Sequence, residues 1–572
     1  MMPAKKIRPA ARMAIGEEQL LLLVAILIGV YSGFAVVCFR LAIEWLRRLL
    51  LGSSLTPSFP RVALAPAAGG LVIAALVVLV FPAVRGSGVN QTKAALYIYD
   101  GYISFRVVIG KFLTSAMAIG SGQSLGPEDP SLQIGAGLAS ALGRRLKLSR
   151  ERMRYIAPIG AAAGLAAAFN SPITAVLFVI EEVIGRWTAG VLGAVVLSAV
   201  ASVVTEQWFL GDEPLFHVPP YHLVHGAELI AYAALGLIGG VVSLVFVKSV
   251  AALRPRLRAL PPWTWYLQPA VAGLFVGFIG LRFPQVMGAG YEFIDQAMHD
   301  QYGWRVLVAL CVLKVVTTTA SFVSGTPGGL FAPTLFIGAM LGGAVCAIER
   351  LVAPGITGPI GAYALVGMGT LFAGIIRAPM TSVFMIVEVS GNYSIILPVM
   401  ISNTIAYLVS RQFQEHALFD LLARQDGTVL PSMEEERESD VETVEDAMRD
   451  GGGMTLRGAE PLSAAMARAA QVPNTEYFLV ELGPGVWGGV SRPALERLHG
   501  SEPKDAPLSM FVTPLARPYL YPDQSTATAL RVLRGRPFVP VIHRADPTRL
   551  EGALALEDVL RAVSGAEPIG ES

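Results

Sequence analysis

Four glycine-rich interruptions carry the residues best placed for chemistry: Gly86-Ser87-Gly88, the stretch 120–126, Gly288-Ala289-Gly290 and the stretch 325–329. Each precedes an apolar stretch of helical character. Backbone N–H groups left unpaired at such a helix start, together with the positive end of its dipole, favour an anion. Dipoles in place of Lys or Arg also keep binding weak enough for release. Glycine serves close helix packing as well, so these turns alone leave both readings open. Four acids lie in or near the same regions, Glu128, Asp129, Glu181 and Glu182. No nucleophile–base constellation, Walker-type loop or metal-ligand spacing among the seven His is found, so the sequence names no catalytic or metal-ligating residue and does not read as an enzyme.

The elements that must position these groups are membrane helices. With 53% hydrophobic and 15% charged residues and a mean hydropathy of +0.56 over 572 residues, lipid must be the main solvent. Nearly charge-free runs occupy 19–39, 62–82, 156–180, 190–204, 227–252, 266–281, 305–320 and 360–388. Several reach the roughly 20 residues of a spanning helix and others fall short. The 59 Gly and 38 Pro interrupt them, and broken helices are tolerated in lipid only where the freed backbone is buried or lines an aqueous cavity. Lys5, Lys6, Arg8 and Arg12 precede the first run with no cleavage site after it, which predicts a retained, cytoplasmic N-terminus. A net charge of +1 argues against nucleic acid as a partner, and the Arg144–Arg154 cluster reads as a membrane-flanking loop. Cys38, Cys311 and Cys346 read as packing residues.

The chain repeats itself. Residues 111–138 match 314–341 at a constant offset of 203, with identities at Lys111, Thr114, Ser121, Gly122, Gly126, Pro130, Leu132, Ile134, Gly135, Ala136 and Leu138. Residues 160–182 match 367–389 at an offset of 207, where Gly160, Ala166, Pro172, Thr174, Val176 and Glu181 recur. Two similar halves with helices broken at equivalent places predict a substrate site at their interface, near the midplane.

The motifs GSGVNQTKAAL at 86–96, GSGQSLGPEDPSLQIG at 120–135 and GGLFAP at 328–333 resemble, in that order, the anion-pathway motifs of the CLC chloride channel and transporter family, over roughly residues 15–430. The resemblance implies an all-α membrane fold of two inverted-topology repeats with broken helices, transport of chloride coupled to protons, and a homodimer in the inner membrane with both termini cytoplasmic. It places Ser87, Gly88, Leu330 and Phe331 on the anion pathway and Glu128 at the gate, with chloride preference implied by Ser87. A carboxylate in an anion site competes with the ion when charged and withdraws when protonated, so one residue serves as gate and proton carrier. The repeat adds that Glu128 is matched by Phe331, so the shared fold does not demand an acid there. Glu181 is matched by Glu388 and reads as a structural acceptor used twice. Glu182 is matched by Val389 and falls where CLC antiporters carry a proton-transfer glutamate.

Three positions depart from the family pattern. Pro127 replaces the basic residue before Glu128 and Asp129 the glycine after it, changes that disfavour a charged Glu128. Phe419, in ALFDLLARQDG, stands where the family's anion-coordinating tyrosine aligns. These departures keep a passive voltage- or pH-gated chloride channel open as an alternative, with a transport-dead anion or nucleotide sensor as a further one.

Composition shifts near residue 425. The expected layout is an N-terminus over 1–17, a transmembrane domain over 18–425 with halves 18–210 and 227–425, a linker over 426–440, and a small α/β region. That region resembles a tandem pair of CBS domains, 441–499 and 506–566, a cytosolic module. The ribose-binding pattern of such domains is split here, with Ser491 in the first copy and Asp558 in the second. A dimerising or structural role is therefore expected ahead of an adenine-nucleotide ligand, and no other cofactor is expected.

Overall fold

A computed structural model describes residues 17–52, 59–185, 189–212, 215–216, 226–352, 357–428, 430, 443–450, 455–473, 475–522, 524–543, 546 and 548–564. The basic segment before Glu17 and the acidic stretch Glu434–Glu442 lie outside the described residues. The chain divides into two compact units, Met1–Met433 and Glu434–Ser572.

The first unit is helical. In chain order it comprises α1 Glu17–Leu50, α2 Phe59–Ala75, α3 Gly88–Tyr97, α4 Phe105–Gly120, α5 Glu128–Arg145, α6 Arg150–Phe169, α7 Pro172–Phe178 and α8 Ala189–Leu210. A second series follows: α9 Glu228–Arg258, α10 Gln268–Gly280, α11 Tyr291–Met298, α12 Trp304–Val323, α13 Phe331–Val352, α14 Ile360–Ile375, α15 Pro379–Ser390 and α16 Ile396–Phe413, with α17 Leu418–Gln425 after it. Among the described residues, seven helical stretches are long and apolar enough to cross a membrane.

The two series correspond element for element, and so do their neighbours. α5 packs on α6 as α13 does on α14, and α1 packs on α8 as α9 does on α16. Where the halves meet, three elements pair with their own counterparts, α2 with α10, α7 with α15 and α5 with α13. Like-with-like contact is what a two-fold relation between halves requires. The apolar runs 156–180 and 360–388 are each two helices rather than one. Asn170 and Arg377 adopt φ of 52° and 63°, and Pro172 and Pro379 then start α7 and α15, positions where the missing N–H costs nothing.

Two glycine pairs set the crossings that shape the interior. A Cβ on Gly135 would lie 2.2 Å from the Gly160 carbonyl oxygen, and one on Gly160 would lie 2.3 Å from that of Gly135. In the second half the Gly338 and Gly367 pair repeats this at 2.3 and 2.2 Å. Only hydrogen fits, so the backbones touch.

The second unit holds two small sheets. Its elements are α18 Val444–Ala447, β1 Arg449–Asp450, β2 Thr455–Arg457, α19 Leu462–Ala470, β3 Tyr477–Gly483, β4 Val486–Ser491, α20 Arg492–Ser501, α21 Thr526–Leu533, β5 Phe538–Ile542, β6 Leu550–Ala555 and α22 Leu556–Ser564. The strand orders are β2-β3-β4 and β1-β6-β5. Val444 packs with Leu520, Ala529 and Val559 of the later lobe, while Leu508 and Val512 pack with Leu462 and Phe478 of the earlier one. Segments at each end of the first lobe are thus exchanged, because β1 completes the edge of β6 rather than its own sheet.

Candidate functional site

Three helix starts converge at the centre of the membrane unit: α3 at Gly88, α5 at Glu128 and α13 at Phe331. Gly126 and Gly329 exchange two backbone hydrogen bonds, each of 2.8 Å, and so hold the starts of α5 and α13 side by side. Ser87 caps α3, its Oγ accepting from the Val89 N–H at 3.1 Å. The first-turn N–H groups of each helix have no partner within the helix. The junction is therefore rich in donors.

Two adjacent carboxylates answer it. Successive residues on a helix point about 100° apart, so Glu128 and Asp129 reach different helices from one helix start. Glu128 Oε2 accepts from the Ala332 N–H of α13 at 3.3 Å. Asp129 Oδ1 accepts from the Val89 N–H of α3 at 2.9 Å. Both side chains are fully buried, and Glu128 Oε1 and Asp129 Oδ2 have no hydrogen-bond partner. Pro127 occupies the cap position of α5.

Aromatic rings close the floor. Phe331 packs against Phe178, Phe372 and, at a centroid distance of 5.9 Å, Phe419. Leu330 and Phe419 are buried beside it, and the Phe419 carbonyl accepts from Asn90 Nδ2 at 2.8 Å, which ties α17 to α3. Ser87, Gly88, Glu128, Asp129, Leu330, Phe331 and Phe419 thus come together around one junction.

Glu182 lies apart from that junction but is linked to it by a residue the sequence reading did not single out. Lys93 of α3 is fully buried, with Nζ 2.8 Å from Glu182 Oε1 and 3.2 Å from Asp420 Oδ1. Asp420 follows Phe419 on α17, so one buried ion network spans Glu182, α3 and the helix carrying the aromatic floor. A lysine within an apolar membrane segment was the available signal, since such a charge must be paired. Two further buried lysines repeat by symmetry. Lys111 Nζ donates to the Gly86 carbonyl at 2.9 Å, and Lys314 Nζ to that of Gly288 at 2.8 Å, so each holds the glycine break of its own half.

Ser491 and Asp558 lie in the second unit. Ser491 caps α20 by position without a side-chain hydrogen bond. The Asp558 carboxylate is engaged at both oxygens, by Arg449 Nε at 2.7 Å and by the Ala555 N–H at 2.9 Å.

The profile of the family described as voltage gated chloride channel matches residues 69–411, more than half of the chain. The chain belongs to that family. Among its relatives in the voltage-gated chloride channel family, a putative chloride channel protein ClcB-like from Ralstonia nicotianae is 32% identical over 403 residues, 68% of this chain and 93% of the relative. An H(+)/Cl(-) exchange transporter ClcA from Vibrio campbellii is 30% identical over 404 residues, 68% of this chain and 86% of the relative. A slow cyanobacterial Cl-/H+ antiporter superposes with a TM-score of 0.65 at 24% identity, covering 71% of this chain and 97% of its own. A eukaryotic CLC transporter superposes with a TM-score of 0.63 at 22% identity and covers 95% of this chain and 99% of its own. The chain is thus a multi-pass membrane protein with the CLC fold and a small C-terminal α/β region.

Proposed function

We infer that this chain is a secondary active transporter that exchanges chloride for protons, with Glu128 as the gate. The observation that carries this is the Glu128 carboxylate seated on the Ala332 N–H, at a junction of helix starts that an anion would otherwise occupy. A relative 30% identical is itself an H(+)/Cl(-) exchange transporter. In its charged form Glu128 fills the donor set at the start of α13. Protonated, it loses its attraction for those N–H groups, withdraws and carries the proton, and chloride takes the donors. Ser87, Gly88, Leu330 and Phe331 line the anion's route, and Glu182 hands protons to Glu128 from one side of the bilayer.

The passive channel is the second reading, and the Lys93 contact favours it, because Glu182 as the counter-charge of a buried lysine is a structural anchor. Flux decides between them. Liposomes of the purified protein, given a chloride gradient and no pH gradient, are expected to move protons uphill as chloride flows, and Glu128→Gln or Glu182→Gln to abolish the proton movement. Chloride efflux without proton movement would make the protein a channel, and no flux at all a sensor.

The same reading places two copies in the inner membrane, each with its own pathway and both termini cytoplasmic, as the basic residues before α1 favour. For the second unit a structural or dimerising role is favoured over adenine-nucleotide binding, since the carboxylate a ribose needs is already held by Arg449 and the Ala555 N–H.

A further inference from the structure

We propose that the Asp129 carboxylate is itself an anion ligand of the α3 start, a second tethered occupant that chloride must displace to reach Ser87. The inference rests on reading this junction as an anion pathway.

Asp129 Oδ1 accepts from the Val89 N–H at 2.9 Å, the same N–H that Ser87 Oγ accepts from at 3.1 Å. It sits where a free anion would sit on this helix start. Gly88 makes room for it: a Cβ there would lie 2.6 Å from Asp129 Oδ1. The fold does not ask for this acid, because its match in the second half is Ala332.

A fixed cap in this protein looks different. Glu181 uses both oxygens on α15, and Glu388 uses both on α7. Asp129 uses one, leaving Oδ2 buried without a partner, and Glu128 shares that pattern. Half-satisfied carboxylates on donor-rich helix starts are suited to exchange with a mobile anion of the same preference. Lys111, whose Nζ holds the Gly86 carbonyl one residue before Ser87, brings a cation beside this helix start, and Glu128 is the neighbouring acid. Chloride therefore meets two tethered rivals in sequence, one at α13 and one at α3.

The test reads binding, so a failure of proton coupling leaves it standing. Crystals of Asp129→Gly grown in bromide are expected to show an anomalous peak within hydrogen-bonding distance of Val89 N and Ser87 Oγ that is missing from wild type. By calorimetry, Asp129→Asn, which keeps an acceptor for Val89 but loses the charge, is expected to bind chloride about tenfold more tightly, because the ion no longer competes with a charged occupant. Bromide on Val89 in wild type with Asp129 still in place would overturn the proposal. So would unchanged chloride affinity in Asp129→Asn, which would leave Asp129 as a fixed cap.

Discussion

Glu181 and Glu388 each hold the start of the helix that the other half supplies. Glu388 accepts the N–H groups of Ile173 and Thr174 at 2.9 and 2.8 Å and the Thr174 hydroxyl at 2.6 Å. Glu181 accepts those of Met380 and Thr381 at 3.3 and 2.9 Å and the Thr381 hydroxyl at 2.8 Å. Negative charge at a helix N-terminus is stabilising, and here it is delivered across the interface in both directions.

Because the two caps are equivalent, their removal is expected to cost similar amounts. Glu181→Ala and Glu388→Ala each leave two amides and a hydroxyl without their acceptors, a loss of about 1–3 kcal/mol for each of these donors that stays buried. Thermal unfolding in detergent checks this; a large effect for one and none for the other would contradict the equivalence.

Lys93→Met strands Glu182 and Asp420 as uncompensated buried acids, with an expected cost of about 3–5 kcal/mol. Adding Asp420→Asn to that variant is expected to return part of the loss, since it removes one of the stranded charges. The two melting temperatures, compared with wild type, report the coupling.

Phe419→Tyr adds a hydroxyl beside Phe331. A hydrogen bond to a charged group contributes about 1.5–3 kcal/mol, so chloride affinity is expected to rise by about tenfold or more, read by calorimetry. An unchanged affinity would place the Phe419 ring off the ion's route.

Gly135→Ala and Gly338→Ala each drive a methyl group to within 2.2 and 2.3 Å of a facing carbonyl oxygen. Both variants are expected to yield little monodisperse protein on size exclusion. Gly190→Ala, with open space around its Cβ position, is expected to behave as wild type or to gain slightly in helix stability.

Much of this was legible because the chain states its own symmetry. The identities at Thr174 and Glu181 are the two partners of the reciprocal caps, those at Gly135 and Gly160 are one helix crossing, and Lys111 marks a glycine break held from the side. Each was visible as a residue the fold uses twice. What breaks the symmetry was harder to read. Lys93 and Asp420 are 327 positions apart, and nothing local joins them until α17 folds back on α3. Asp129 was read as a neighbour that disturbs Glu128, because sequence shows adjacency and not direction. On a helix, adjacency means divergence, and the two acids serve different helices. The exchange of Val444 and Leu508 between lobes escaped for a similar reason, since both halves repeat the same strand–strand–helix order whichever sheet a flanking segment joins.

The paired hydrogen bonds between Gly126 and Gly329 have a mechanical consequence. They join the two halves of the membrane unit and run in both directions, so rocking one half against the other would break both at once, and both glycines are buried. The frame is pinned at its pivot. On the gating proposed for Glu128 and Asp129, an ion passing through would be admitted by carboxylates that swing aside one at a time, as in a turnstile, while the two halves stay in register.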